Sequence, residues 1–166
     1  MKRILVMSDT HGNQQLLRIP FEHGDHFTHI FHLGDDYEDL DSNPDLTENR
    51  LLTRVPGIFH PGYLDSSLPR LVKVEIDGWR FLLMHSPDDA RGQKLDNIDF
   101  VLFGHTHRPG IEMREGRFWC NPGHLKRRFD RGQSASWLVI ELEGDEARLS
   151  LYDIYGTLMI CNTITR

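Results

Sequence analysis

A chain of 166 residues, 39% hydrophobic and 27% charged, has enough apolar material to bury a core and the balance of a folded globular protein, so disordered and fibrous classes are excluded. The formal net charge of −6, with lysines and arginines scattered outside the group Lys126, Arg127, Arg128 and Arg131, argues against a nucleic-acid partner. No apolar run approaches the roughly 18–20 residues that cross a bilayer, so no membrane partner is expected.

Residues 3–7 form a short apolar run that stops at Ser8-Asp9-Thr10-His11-Gly12. The pattern predicts a buried strand that delivers polar side chains to a loop at its C-terminal end, where open α/β sheets commonly carry function. Residues 14–21 have helical spacing but are cut by Pro20, so any helix there is brief. Residues 28–33 repeat the strand pattern and end in Gly34-Asp35-Asp36. After the Asn43-Pro44 breaker, residues 46–52 read as a helix and 54–55 as a short strand before the turn-rich segment 56–62. Residues 71–76 and 79–84 form a hairpin around Asp77-Gly78, and His85 stands where the return strand ends. Residues 89–95 read as a short helix, and 100–103 as a strand that ends in Gly104-His105-Thr106-His107. Hairpins over 111–120 (around Glu115-Gly116) and 137–151 (around Gly144-Asp145) follow, with a last strand inside 157–163. No internal repeat or low-complexity linker is visible, so residues 1–166 are read as a single domain.

Four strands thus end in loops that carry metal-competent side chains: Asp9 and His11, Asp35, His85, then His105 and His107. A carboxylate or imidazole two residues from another points the same way on extended backbone, so Asp9 with His11 and His105 with His107 could each grip one site. Each element is bland alone. Asp9 could cap a helix, Gly34-Asp35 is ordinary turn chemistry, and His85 could be a plain hairpin residue. The ordered recurrence at strand ends is what points to a site. His23, His26, His29 and His32 lie outside those loops and read as surface or strand-face residues. Mixed imidazole and carboxylate ligands suit zinc, manganese or iron rather than calcium. Two ions roughly 3.5–4 Å apart, bridged by a carboxylate such as Asp35, could activate a shared water and clamp an in-line displacement at phosphorus.

These motifs resemble the calcineurin-like metallophosphoesterases, in particular their small bacterial and archaeal phosphodiesterases. Their pattern is D-x-H, G-D, G-N-[HC]-[DE], a histidine after a strand, and G-H-x-H; here it is met by Asp9-Thr10-His11, Gly34-Asp35, His85 and Gly104-His105-Thr106-His107. Asn121-Pro122-Gly123 matches a further Asn-Pro-Gly-Ser element, with His124 in place of serine. The resemblance implies an α/β fold in which two mixed β-sheets pack as a sandwich flanked by helices. It implies a two-metal site in which Asp9, His11 and His107 hold one divalent ion, His85 and His105 hold the other, and Asp35 bridges them. The ions would be Mn, Zn, Fe or Ni. The activity implied is hydrolysis of a small phosphodiester or phosphomonoester by attack of a metal-bridging hydroxide.

One element departs from the pattern. Gly57 aligns, but Ile58 stands where the family's asparagine ligates the second metal, so that metal would bind less firmly. His60 could take a replacement role as a ligand or as the acid that protonates the leaving group, or could be a simple turn residue. The missing asparagine leaves a second reading open, a binding or scaffold protein that keeps the fold without its activity. A nuclease that uses the basic group at Lys126–Arg131 is the poorer reading given the overall acidity. Cys120 and Cys161 are too few for a disulfide framework, and residues 4–7 are too short for a secretion-signal core, so the cytoplasm is the expected location. Unused hairpin edges near the C-terminus leave a homo-oligomer open.

Overall fold

A computed structural model describes residues 1–24 and 26–166. Its first elements are β1 (Lys2–Met7), α1 (Gln14–His23), β2 (His29–His32), α2 (Pro44–Thr47), β3 (Leu51–Arg54) and α3 (Pro61–Leu64). There follow β4 (Leu71–Ile76), β5 (Trp79–Met84), β6 (Phe100–Leu102), β7 (Gly110–Arg114), β8 (Arg117–Asn121), β9 (Phe129–Asp130) and β10 (Gln133–Ser134). The last three strands are β11 (Ser136–Glu143), β12 (Glu146–Asp153) and β13 (Leu158–Thr165).

One sheet has the order β13-β12-β11-β1-β2-β3 and the other β4-β5-β6-β8-β7. Both are mixed: β1, β2 and β3 run parallel while β11 joins β1 antiparallel, and β5, β6 and β8 run parallel between antiparallel partners β4 and β7. The two sheets pack face to face, as expected. Alternate residues Ile4, Val6, Phe31 and Leu33 of the first sheet meet Phe81, Leu83, Phe100 and Leu102 of the second in one buried cluster. The Phe81 and Phe100 rings stack at 4.9 Å and Phe31 meets Phe81 edge-on at 5.6 Å, a geometry that adds to area burial. The intervening residues of the first sheet, Leu5, Met7 and Ile30, face outward and are covered by Leu16 and Leu17 of α1. Both sides of β1 are therefore apolar, which is why its sequence runs hydrophobic without alternation.

The outer cover differs from expectation. Over the second sheet, Leu82, Met84 and Val101 are roofed by Ala90 and Ile98 from an irregular segment. Residues 89–95 do not form the expected helix; Pro87–Ala90 makes a 3₁₀ turn instead. Helix α1 runs through Pro20 to His23, because a single missing N–H is tolerated when the ring is buried. The segment 46–52 is split: α2 ends at Thr47, and Leu51–Arg54 pairs in parallel with β2. Tertiary pairing along the β2 edge overrides the local helical pattern. The hairpins around Asp77-Gly78 and Glu115-Gly116 form as read, with both residues of each turn at positive φ (49° and 79°; 48° and 76°). The small β9–β10 hairpin was not anticipated. Among the described residues no helix is long and apolar enough to cross a membrane.

Candidate metal centre

Asp9 lies two residues beyond β1, Asp35 three beyond β2, His85 directly after β5 and His105 three beyond β6. Backbone hydrogen bonds tie these loops together: Asp9 N–H donates to the Gly34 carbonyl (2.9 Å), Gly104 N–H to the His85 carbonyl (3.0 Å) and His105 N–H to Asp9 Oδ2 (2.9 Å). Loops from both sheets are thus stitched around one point, which brings all six anticipated side chains into a single neighbourhood.

The route differs from the one inferred from spacing. Asp9, His11, Asp35, His105 and His107 have φ of 55°, 47°, 54°, 65° and 61°, so these loops are left-handed rather than extended. Asp and His tolerate that region better than branched residues do, yet such a concentration stores strain that surrounding contacts must hold, as functional sites often do. The glycines permit the crowding. A Cβ on Gly104 would lie 2.0 Å from Ser8 Oγ and 2.6 Å from Asp9 Oδ2, and one on Gly57 would lie 2.0 Å from Asp35 Oδ1.

On one side, Asp9, His11, Asp35 and His107 each offer a donor atom, all within 4.8 Å of one another. Asp9 is fully buried; its Oδ2 accepts from Ser8 Oγ at 2.5 Å, and its Oδ1 faces His107 Nε2 at 3.1 Å. His107 Nδ1 donates to Asp130 Oδ2 at 2.7 Å, and Asp130 Oδ1 accepts from Arg127 Nε at 2.9 Å. This fixes the His107 ring and leaves Nε2 facing the site. Arg127 and then His107 hold the Asp130 carboxyl well below the usual carboxylate range. Burial alone would depress the His107 imidazole, but Asp9 and Asp130 outweigh it and raise its pKa. His11 goes the other way: burial lowers its pKa despite the nearby Asp35 and Asp9 carboxylates. Its Nε2 lies 3.4 Å from both His107 Nε2 and Asp35 Oδ2.

On the other side, His85 Nδ1 donates to the Leu33 carbonyl at 2.7 Å, so Nε2 presents a lone pair. That Nε2 is buried with no hydrogen-bond partner among the described residues and lies 3.5 Å from Asp35 Oδ1. The His105 ring meets the His85 ring edge-on, 5.2 Å between centroids. The two Asp35 oxygens therefore face different groups, Oδ2 toward His11 and Oδ1 toward His85. A buried, fixed, unpartnered imidazole nitrogen beside a divided carboxylate fits a divalent cation, because each donor would otherwise carry an uncompensated desolvation cost.

His60 shares a 330 Å³ cleft with His11, Asp35, Asp36, Glu38, Gly57 and Phe59. Its Nδ1 accepts the Gly62 N–H at 3.0 Å, capping α3, and its Nε2 donates to Glu38 Oε1 at 2.9 Å. Ile58 is half-buried and offers no donor atom.

Several supporting contacts were not anticipated. His32 is a fully buried face residue of β2. Its Nε2 faces Asp39 Oδ2 at 3.3 Å, while Thr10 Oγ1 donates to the same carboxylate and lies 3.2 Å from the Asp35 carbonyl. This network braces the Asp9 and Asp35 loops against each other. Asn121 Nδ2 donates to the Gly104 carbonyl (3.0 Å) and Thr106 Oγ1 (2.9 Å), fixing the loop of His105 and His107. The Asp130 contact had one visible signal, a lone carboxylate between the basic residues 126–128 and Arg131.

Two mixed sheets whose strand-end loops converge on clustered carboxylates and imidazoles define a metallophosphoesterase-type scaffold. Residues 1–145 match the calcineurin-like phosphoesterase superfamily domain, and the chain belongs to that family. It is 25% identical over 163 residues to the protein named probable metallophosphoesterase YsnB of Bacillus subtilis, covering 92% of each chain. Among solved structures it is similar to a Streptococcus pneumoniae protein titled a predicted phosphoesterase (TM-score 0.72, 20% identity, 99% of this chain and 98% of that one). It is equally similar in fold to Vps29 of Chaetomium thermophilum (TM-score 0.72, 20% identity, 99% of this chain and 97% of that one).

Proposed function

We propose that this protein is a metal-dependent phosphoester hydrolase acting on a small phosphodiester or phosphomonoester. Asp9, His11 and His107 would hold one divalent ion, His85 and His105 the other, and Asp35 both, with Mn, Zn, Fe or Ni as candidate ions. The observation that carries the reading is the pair formed by the unpartnered His85 Nε2 and the divided Asp35 carboxylate. Two cations at this spacing would make a shared water acidic enough to ionise near neutral pH and would balance charge on the reacting phosphoryl group.

The chain's own residues do the rest. Asp130, bound to Nδ1, would hold the His107 ring so that Nε2 is aimed at a cation. The Leu33 carbonyl does the same for His85. His60 is the proposed proton donor to the leaving group, facing the cleft that His11 and Asp35 also line. To serve, its ring must exchange the Gly62 N–H for a proton on Nδ1, so the acidic form gives up the cap of α3.

The direct test is turnover of bis(p-nitrophenyl) phosphate with manganese, zinc, iron and nickel supplied in turn. Turnover with at least one of them, lost in Asp35→Asn, is expected; no turnover with any would overturn the reading. Ile58 is the observation that favours the second reading, a protein-binding scaffold of the same fold. Elemental analysis separates the two: the hydrolase retains about one to two ions per chain, and a scaffold holds little.

A further inference from the structure

A 520 Å³ cavity borders the proposed centre, sharing His105 with it. It opens beside His105 and Thr106 and runs over the outer face of β7 and β8. Trp119 and Phe103 form an apolar wall, their rings edge-on with centroids 6.1 Å apart. Arg108, Arg114 and Arg131 line it together with one acidic residue, Glu112.

The three arginines are not equivalent. Arg114 is occupied, with Nε donating to Glu112 Oε2 at 2.9 Å and its guanidinium 5.3 Å from the Trp119 ring. Arg131 makes two long contacts, 3.4 Å to the His105 carbonyl and 3.8 Å to Asp130 Oδ2, which put it at the boundary between the cavity and the metal centre. Arg108 has no ion pair or side-chain hydrogen bond among the described residues. Two under-used guanidinium groups beside a half-exposed tryptophan and next to a phosphate-handling centre form a composite surface. The arginines match a phosphate bidentately, and the ring matches a flat heterocycle.

Resting on the hydrolase reading, we infer that this cavity holds the nucleoside-phosphate arm of a pyrophosphate-bridged nucleotide. The base lies on Trp119, and the phosphate between Arg108 and Arg131. The neighbouring phosphorus then falls at the metal centre. Water cleaves the bridging P–O bond there, and the arm leaves as a nucleoside monophosphate. A simple aliphatic phosphate ester would leave both the ring and the arginines unused.

Trp79 and Trp137 are each 2% exposed, so Trp119 is the tryptophan that a ligand in solution can quench. We expect adenosine 5′-monophosphate, titrated in EDTA, to quench it saturably and to bind about tenfold or more tightly than adenosine, ribose 5-phosphate or inorganic phosphate. In the Arg108→Ala, Arg131→Ala double variant the nucleotide should weaken to the level of adenosine, with the fold unchanged by circular dichroism. Trp119→Phe should keep binding, read by calorimetry, and lose the quench. Inorganic phosphate binding as tightly as the nucleotide, or binding unmoved by the double variant, would overturn the inference. Turnover of bis(p-nitrophenyl) phosphate without nucleotide binding would sink this pocket and spare the hydrolase. Nucleotide binding without turnover would do the reverse.

Discussion

The two sides of the proposed metal cradle are built from the same residue types and are supported very differently. On the Asp9 side two donors are held by further groups: Ser8 and the His105 N–H on Asp9, and Asp130 with Arg127 on His107. On the His85 side one carbonyl orients one ring, the His105 ring has no hydrogen-bond partner among the described residues, and Ile58 stands where a further donor is expected. Donor identity alone would rank the two alike. Support separates them, because a ligand whose orientation is already fixed loses less freedom when the cation arrives. A firm site and a labile one that share Asp35 are therefore expected.

Substitutions can break or sharpen that contrast. Asp35→Asn touches both sides at once and should lower turnover by at least about a hundredfold, with metal content reduced at both positions. Loss confined to one ion would mean that the carboxylate does not bridge. His60→Asn keeps a side chain able to cap α3 but removes the transferable proton; turnover should fall about 10²–10³-fold with thermal stability close to wild type. A variant of undiminished rate would leave His60 as a cap only. Asp130→Ala should weaken cation affinity about 10–100-fold, and on the Asp9 side alone. Equal weakening of both ions would erase the proposed asymmetry. Ile58→Asn should do the opposite, tightening the labile site by about tenfold and leaving the firm one unchanged, as two-step calorimetric titration would reveal. Gly104→Ala probes the packing beneath the firm side. Its new Cβ collides with Ser8 and Asp9, and a cost of about 1–3 kcal/mol in chemical denaturation is expected.

The strands and the tight turns were legible because their signals are local. The run 4–7 is apolar on both faces, and Asp77-Gly78 and Glu115-Gly116 supply the positive φ that their turns require. The segment 46–52 was misread because its fate depends on an edge of β2 that sequence spacing does not reveal. All six cradle residues could be named from their positions at strand ends, but the conformation that gathers them could not. Five adopt left-handed backbone held in place by contacts remote in sequence. Their supports were hidden for the same reason. Asp130 reaches His107 only through the small β9–β10 hairpin, and Asp39 reaches Thr10 and His32 only after the Asp35 loop has folded over β2. His60 was legible as a candidate by type, while its capping bond to Gly62 was not.

The most direct measurement is anomalous diffraction from crystals soaked in manganese. The account predicts a strong peak about 2.0–2.3 Å from donor atoms of Asp9, His11, Asp35 and His107, and a weaker one beside Asp35, His85 and His105. A map with no peak among these side chains, or with full occupancy beside His85 and none beside Asp9, would contradict it.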